Sequence, residues 1–169
     1  MIEVRIDELI HKGHLIKKII FSSTSGSSFR VAYQDKSGIP LLERLDETFR
    51  DEVNTTAILV GVEYKMVAFR KTIRNIEKQH LVLEDYKLVG DKFILINKSI
   101  SEPLYPEDPY SQHKRSVYDG KGKLHYMMIG STEYDAEGNE RNEDAPLENF
   151  ETIDDVEMQY LDEAVQKLL

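Results

Sequence analysis

The chain has 169 residues, of which 40% are hydrophobic, and it carries a formal net charge of −9 without any cysteine. The lack of cysteine excludes a disulfide framework, a thiolate zinc site and a cysteine nucleophile, and it fits a reducing compartment. The charged N-terminus lacks the apolar run of a signal peptide, and no segment approaches the ~20 apolar residues of a membrane span. We therefore expect a cytoplasmic protein of one domain, or one domain plus an appendage, without a membrane partner.

Charge divides the chain into two parts. Residues 133–163 contain thirteen acids and one base, whereas residues 1–132 contain eighteen acids and twenty bases. An asymmetry of this size is typical of an acidic tail. It predicts a sheet-centred globular body at 1–130, followed by an acidic connector and C-terminal helix at 131–169.

The first residues fit two patterns. Ile2, Val4 and Ile6 alternate with charged residues as in a strand, whereas Ile6, Leu9 and Ile10 fit helical spacing ahead of Gly13. We favour a short helix at about 5–12. The next segment is clearer, because two β-rich runs at 14–22 and 29–34 flank a stretch of Ser and Gly, which predicts a hairpin.

Residues 40–54 carry a helical pattern. Pro40 stands at the first helical position, where its fixed φ is favourable. Apolar residues then recur at helical spacing among charged ones, namely Leu41, Leu42, Leu45, Phe49 and Val53. This pattern predicts a helix at about 40–54.

The densest apolar patterning lies at 56–98 and predicts a central antiparallel sheet. Within it, residues 66–78 fit helical spacing, but their β-branched content and short flanks favour a strand with a bulge. Residues 81–89 and 93–96 are predicted to form a hairpin around the two-residue turn Gly90-Asp91.

The last third of the chain predicts loops, one strand and one helix. Residues 99–123 are rich in Pro and Tyr and predict a long loop that ends in a hairpin tip, and 124–129 predict a strand. A polar connector at 131–146 then leads to an amphipathic helix at about 152–168. The predicted fold is therefore α+β, mainly antiparallel sheet with two helices, and a small barrel-like closure of the sheet is the alternative to an open one.

The chain has no catalytic or cofactor motif above background. His11 and His14 are three residues apart, but a zinc site needs three or four converging ligands and the sequence does not supply them. An enzyme would have to use His14, His80, His113 or His125 with nearby carboxylates. We predict that the protein is not an enzyme and binds neither a cofactor nor a metal.

Basic and aromatic residues recur at 65–78 and 105–123. A cationic groove with stacking rings is the usual site for single-stranded nucleic acid. The candidate residues are Lys65, Arg70, Lys71, Arg74, Tyr110, Lys114, Arg115 and Tyr118. The alternative function is therefore a single-stranded nucleic-acid-binding protein whose acidic tail is autoinhibitory, although the body is less basic than such domains usually are.

The acidic segment and the final helix predict the favoured function. An apolar helical stripe needs a surface to cover it, on its own body, on a second copy or on a different protein. We predict a non-enzymatic protein-binding or assembly module of the kind found among small accessory proteins of bacteria or phages, with self-association as one outcome. The candidate partner-binding residues are Glu140, Glu143, Asp144, Val156, Tyr160 and Leu161.

Overall fold

The computed structural model describes residues 1–24, 28–49, 53–141 and 150–168. These residues form antiparallel strands and one C-terminal helix, as the sequence predicts in outline. The elements are β1 (Ile2–His11), β2 (His14–Ser23), β3 (Ser28–Asp35), β4 (Pro40–Phe49), β5 (Val53–Val60), β6 (Lys65–Asn75), β7 (His80–Val89), β8 (Lys92–Pro103), β9 (His113–Asp119), β10 (Leu124–Ile129), β11 (Thr132–Asp135) and α1 (Ile153–Gln166).

The strands pair in the order in which they occur in the sequence. Over the described part of the chain, β1 and β11 stand at the two ends of the hydrogen-bonded order. The sheet is therefore not a closed barrel, and the barrel-like alternative is wrong. In the same residues, no helix is long and apolar enough to cross a membrane.

The chain divides into two compact units. The first comprises 1–70, 87–93 and 153–169, and the second comprises 71–86 and 94–152. The first unit holds β1 to β5 and α1, and the second holds β9, β10 and β11 with most of β8. The separate functional role predicted for 131–169 stays a prediction.

The predicted helix at 40–54 is wrong, because Pro40–Phe49 is β4 and Val53 begins β5. Tyr33 of β3 pairs with Leu42 and Gln34 pairs with Pro40, so Leu41 is the extra residue of a β-bulge. A bulge lets two successive side chains leave the solvent, and Leu41 and Leu42 are both buried. The consecutive apolar residues that resembled a helix face are the sequence signature of this bulge.

The predicted helix at about 5–12 is also wrong. Ile2–His11 is β1, which pairs along its whole length with β2 through a turn at Lys12 and Gly13. Both turn residues have positive φ, as a two-residue hairpin loop requires. Two acids of β1 face lysines across the ladder, with Asp7 opposite Lys18 and Glu8 opposite Lys17. Such cross-strand charge pairs stabilise a sheet.

Elsewhere the strand predictions are largely confirmed. The 66–78 segment is a strand up to Asn75 and has the expected bulge, because Ile58 pairs with Ala68 and Leu59 pairs with Met66. The hairpins at 14–34 and around Gly90 are present, as is the strand at 124–129. The long loop at 99–123 is wrong in extent, because β8 continues to Pro103 and β9 begins at His113.

Three hairpin turns share one sequence pattern, Asp-x-x-Gly-x, at 35–39, 119–123 and 135–139. In each turn the Asp carboxylate accepts hydrogen bonds from the backbone N–H groups two and four residues later, at 2.8–3.0 Å. The glycine N–H bonds to the Asp carbonyl and its φ lies between 84° and 87°. These are three-residue loops built on a type I turn and a left-handed glycine.

The core of the first unit lies between one side of its sheet and α1. Side chains that alternate onto the same side of β2 to β6 are buried, and so is the apolar stripe of the helix. The sheet contributes Ile16, Val31, Leu42, Ile58 and Ala68, and the helix contributes Ile153, Val156, Leu161 and Val165.

Ion pairs hold the helix over this side of the sheet. Arg44 of β4 donates from Nη1 to Glu157 at 2.7 Å and to Asp154, and from Nε to Asp46 at 2.8 Å. Burial disfavours the charged guanidinium, but hydrogen bonds to the three carboxylates outweigh it and raise the pKa of Arg44. At the other end of the helix, Asp162 contacts the His11 ring at 2.5 Å. Arg44 therefore fixes the position of α1 on β4.

The second unit is held by polar contacts as well as apolar ones. Asn97 of β8 donates from Nδ2 to the buried Asp85 carboxylate at 2.9 Å and to the Glu151 carbonyl at 3.0 Å. The Phe150 ring packs against the His125 ring in a tilted arrangement, with 4.8 Å between ring centroids. The segment that precedes the helix is thus attached to strands of this unit.

Replacing Arg44 should loosen α1. We expect Arg44→Met to lower the free energy of unfolding by about 1–3 kcal/mol, because it leaves carboxylates of a partly buried cluster without their cation. Chemical denaturation measures this. Arg115→Met is the control, since Arg115 is an exposed residue of β9, and its cost should stay below about 0.5 kcal/mol. Equal costs for the two variants would contradict the proposed role of Arg44.

Two glycines of one turn should respond differently to alanine. Gly122 has φ 84° and a Cβ there meets nothing within 4 Å, whereas a Cβ on Gly120 would lie 2.3 Å from the Leu95 carbonyl oxygen. We expect Gly122→Ala to cost about 1 kcal/mol of stability and Gly120→Ala about 2–3 kcal/mol, because β9 must move away from β8. Thermal unfolding ranks the two, and the reverse order would show that backbone strain outweighs this close approach.

Candidate protein-binding surface

The predicted partner-binding residues fall into three groups in the structure. Val156 and Leu161 are buried in the first unit, and Tyr160 is half-buried. Glu140 is exposed and forms an isolated bridge with Tyr134. Glu143 and Asp144 lie outside the described residues. The apolar stripe of the helix is therefore covered by its own sheet, and binding of a partner by this set stays a prediction.

The predicted nucleic-acid residues are distributed over both sides of their strands. On β6, Arg70 and Arg74 alternate to one side and Lys71 to the other, and on β9 Arg115 alternates away from Lys114 and Tyr118. Lys65 lies at the start of β6. Lys114 pairs with Glu102 at 3.5 Å, and Tyr110 is exposed in the loop before β9. Strand alternation thus divides the set, and nucleic-acid binding stays a prediction.

Three of the five histidines lie close to carboxylates. His11 contacts Asp162, His80 lies 3.9 Å from Glu102, and His125 Nε2 lies 3.0 Å from Asp119 Oδ2. His14 is half-buried at the start of β2 and His113 is exposed at the start of β9. Within the described chain, no three of the His, Asp and Glu side chains converge as metal ligands would.

Asp119 organises the β9–β10 turn. The hydrogen bond from His125, together with the N–H groups of Lys123 and Lys121, lowers the pKa of Asp119 to about 2. Leu124 pairs with Tyr118 and Tyr126 with Val117, so His125 is the extra residue of a bulge. These groups stabilise the turn, because the carboxylate is already shared among three donors.

A run of exposed apolar side chains lies on β1. Ile2, Val4, Ile6 and Ile10 project from the side opposite α1 and are 56–75% exposed. Their neighbours across the ladder on β2 continue the surface, with Leu15 opposite Ile10, Ile19 opposite Ile6 and Phe21 opposite Val4. We call Ile2, Val4, Ile6, Ile10 and Leu15 the β1 apolar stripe.

The same residues carry the unpaired backbone edge of the sheet. Thr24 N–H donates to the Met1 carbonyl at 3.0 Å, so the odd-numbered residues of β1 bond to β2 and the even-numbered residues direct their N–H and C=O groups outward. Within the described residues, β1 pairs with no strand on this outer side. A strand edge with an apolar side is a template for another strand.

The sequence contained the signal for this surface, in the alternation of Ile2, Val4 and Ile6 with charged residues. The competing helical spacing of Leu9 and Ile10 concealed it. Alternation alone also cannot tell which side of the strand is buried, and here the apolar side is the exposed one. Only the position of α1 on the other side decides this.

Acid should test the Asp119 interaction. The pKa of Asp119 is lower in the folded protein than its value of about 3.9 in unfolded chains, so its contribution is present above that value and is lost as pH falls toward 2. We expect Asp119→Asn to weaken the fall in melting temperature between about pH 4 and pH 2. His125→Gln should have the same effect in part, because the turn N–H groups remain. If the melting temperatures of the wild type and Asp119→Asn fell equally over this pH range, the assignment would be refuted.

No protein-family model, no curated protein and no solved structure matches the chain. A function for the chain is therefore inferred from the geometry of its described residues.

Proposed function

We propose that this chain is a non-enzymatic protein-binding module that associates through the β1 apolar stripe and the adjoining strand edge. The observation that carries the proposal is the exposure of Ile2, Val4, Ile6 and Ile10 on the outermost strand. These four side chains share one side of the strand, with Glu8 between Ile6 and Ile10. Together with the open backbone groups beside them, they offer both apolar area and hydrogen bonds to an incoming strand.

The energetics favour burial of this stripe. Burying a Val or Ile side chain completely is worth about 1.5–3 kcal/mol, and contiguous exposed apolar patches on soluble proteins commonly mark interaction sites. Isolated exposed residues such as Ile76, in the turn after β6, carry no such implication. The stripe differs because its members share one side of a regular edge strand, with Glu8 as the one charged residue among them.

The helix is a weaker candidate for the binding element. Its apolar residues already contact the sheet, and Arg44 and His11 pair with its acids. Releasing the helix to bind a partner would require breaking these contacts. The β1 apolar stripe needs no such rearrangement.

Site-specific photo-crosslinking tests the proposal. A benzophenone amino acid placed at Ile6 should form covalent adducts with a protein that docks on the stripe in cells, and mass spectrometry identifies the protein in each adduct. The matched control carries the same group at Ile76, which is 67% exposed against 62% for Ile6. We expect a discrete adduct from position 6 that is absent from position 76.

The variant Ile6→Lys sharpens the result. Placing a charge in the centre of the stripe should abolish an adduct formed from a benzophenone at Val4, while a lysine at Ile76 should leave that adduct unchanged. Absence of adducts at positions 4 and 6, or identical adducts at 6 and 76, would contradict the proposed function.

A further inference from the structure

We infer that the protein docked on the β1 apolar stripe is a second copy of this chain, paired antiparallel along β1 with Ile6 opposite Ile6. This inference rests on the proposed function and adds the identity of the partner. An isologous contact of this kind closes after two copies, so it gives a dimer and not a fibre.

The pattern of side chains allows only some registers. Two β1 strands must align even-numbered residues with even-numbered residues, because a slip of one residue places the stripe against the charged side. The same alignment matches the open backbone groups of the two edges, since both sets belong to even-numbered residues. The possible registers are therefore centred on Val4, Arg5, Ile6, Asp7 or Glu8, each opposite itself, and the last is unfavourable because it opposes two Glu8 carboxylates.

Charge decides among these registers. The odd-numbered side of β1 carries Glu3, Arg5 and Asp7 in succession. A register centred on Arg5 opposes two Arg5 side chains and also opposes Glu3 to Asp7, and a register centred on Asp7 opposes two carboxylates. Like charges directly opposite each other destabilise a ladder. Both registers are therefore unfavourable.

The register centred on Ile6 joins opposite charges on the odd-numbered side of the strand. On the even-numbered side it places Glu8 of each copy opposite Val4 of the other, and Glu8 keeps Lys17 of its own chain as its cross-strand neighbour. Arg5 of each copy faces Asp7 of the other, and this pairing occurs twice by symmetry. Arg5 and Asp7 already contact within one strand at 3.1 Å, and the Arg5 side chain is 74% exposed, so it is free to swing to the second copy. The same register pairs Ile2 with Ile10 and spans Ile2–Ile10 of the strand.

The register centred on Val4 is the remaining competitor. It opposes Glu3 to Arg5, which is also favourable, but within β1 it pairs only Ile2–Ile6 and leaves Ile10 uncovered. Ile10 is the most exposed member of the stripe at 75%. The Ile6 register therefore buries more apolar area for a similar set of charge pairs.

Dimer formation joins the sheets of the two copies along their β1 edges. In the Ile6 register the order of strands becomes β2, β1, then β1 and β2 of the second copy, with the two stripes adjacent on one side. The alternating charges on β1 protect the edge against most strands, as edge charges usually do, and they admit the one strand whose charges are complementary.

Cysteine scanning reads the register directly, because the chain contains no natural cysteine. Residues opposite each other in a hydrogen-bonded antiparallel pair have Cα atoms about 5.5 Å apart, within the range of a disulfide. Under mild oxidation we expect Ile6→Cys to form a covalent dimer and Val4→Cys to remain largely monomeric. The opposite result would move the register to Val4, and no dimer from either variant would overturn the inference.

Charge exchange provides an independent measurement. Arg5→Glu and Asp7→Arg should each weaken dimerisation roughly tenfold, by placing like charges opposite each other twice. The double variant Arg5→Glu with Asp7→Arg should restore it, as should mixing the two single variants. In the Val4 register the double variant would still oppose Glu3 to a glutamate, so it would not recover.

Sedimentation velocity over a concentration series, with circular dichroism to check folding, measures these dimers. The outcomes separate the two proposals. Adducts from position 6 with a different protein, and a wild type that sediments as a monomer throughout, would overturn the self-association and leave the proposed function intact. If position 6 forms no adduct with a copy of this chain or with another protein, both the proposed function and the self-association are overturned. A variant that unfolds is replaced by Ile6→Ser, which removes most of the apolar contact without adding charge and should still reduce dimerisation.

Discussion

The first unit depends on one constraint: the single helix that the structure describes can cover only one side of a sheet. Helix α1 lies over the side that carries Ile16, Leu42 and Ile58, and Arg44 holds it there through carboxylates of the helix. Among the residues that the structure describes, none covers the other side of the outermost strand in this way. Its alternating apolar residues are left in contact with solvent, which is why β1 becomes the candidate surface for association.

Bulges let this strand-rich chain bury residues that simple alternation would expose. Leu41 on β4, Val67 on β6 and His125 on β10 are each the extra residue of an irregular pairing. The first two place consecutive apolar side chains out of solvent, and the third directs an imidazole toward Asp119. A bulge adds local twist and changes the side to which later residues point, so these positions determine which side chains meet.

Several elements were predictable because their signals are local. The C-terminal helix has acids in its first turn and a stripe that repeats at helical spacing, and the strand at 124–129 alternates between flanking turns. The Asp-x-x-Gly-x turns are equally local, since the aspartate and the glycine act within five residues. The hairpin tip predicted at 119–123 is one of them, and their recurrence is a shared hydrogen-bond pattern of five residues and not a long repeat in the sequence.

The failures occurred where two periodicities coexist. At 40–54 and 5–12 the apolar residues satisfy helical spacing, and nothing within either segment shows that it will pair with a neighbouring strand. Cross-strand pairs such as Asp7 with Lys18 decide the outcome, and they join residues that are distant along the chain. The candidate site was missed for the same reason, since Ile2, Val4, Ile6 and Ile10 look like core residues until the position of the helix is known.

The sequence by itself determined that this chain forms an antiparallel, hairpin-rich fold with one amphipathic C-terminal helix, because turn chemistry, capping and alternation act over a few residues. Tertiary structure alone decided which side of the sheet the helix covers. It therefore also decided that the helical stripe is internal and the β1 apolar stripe external. The physical reason is that burial depends on two surfaces in contact. A sequence pattern indicates that one surface is apolar, but it does not indicate which other surface covers it.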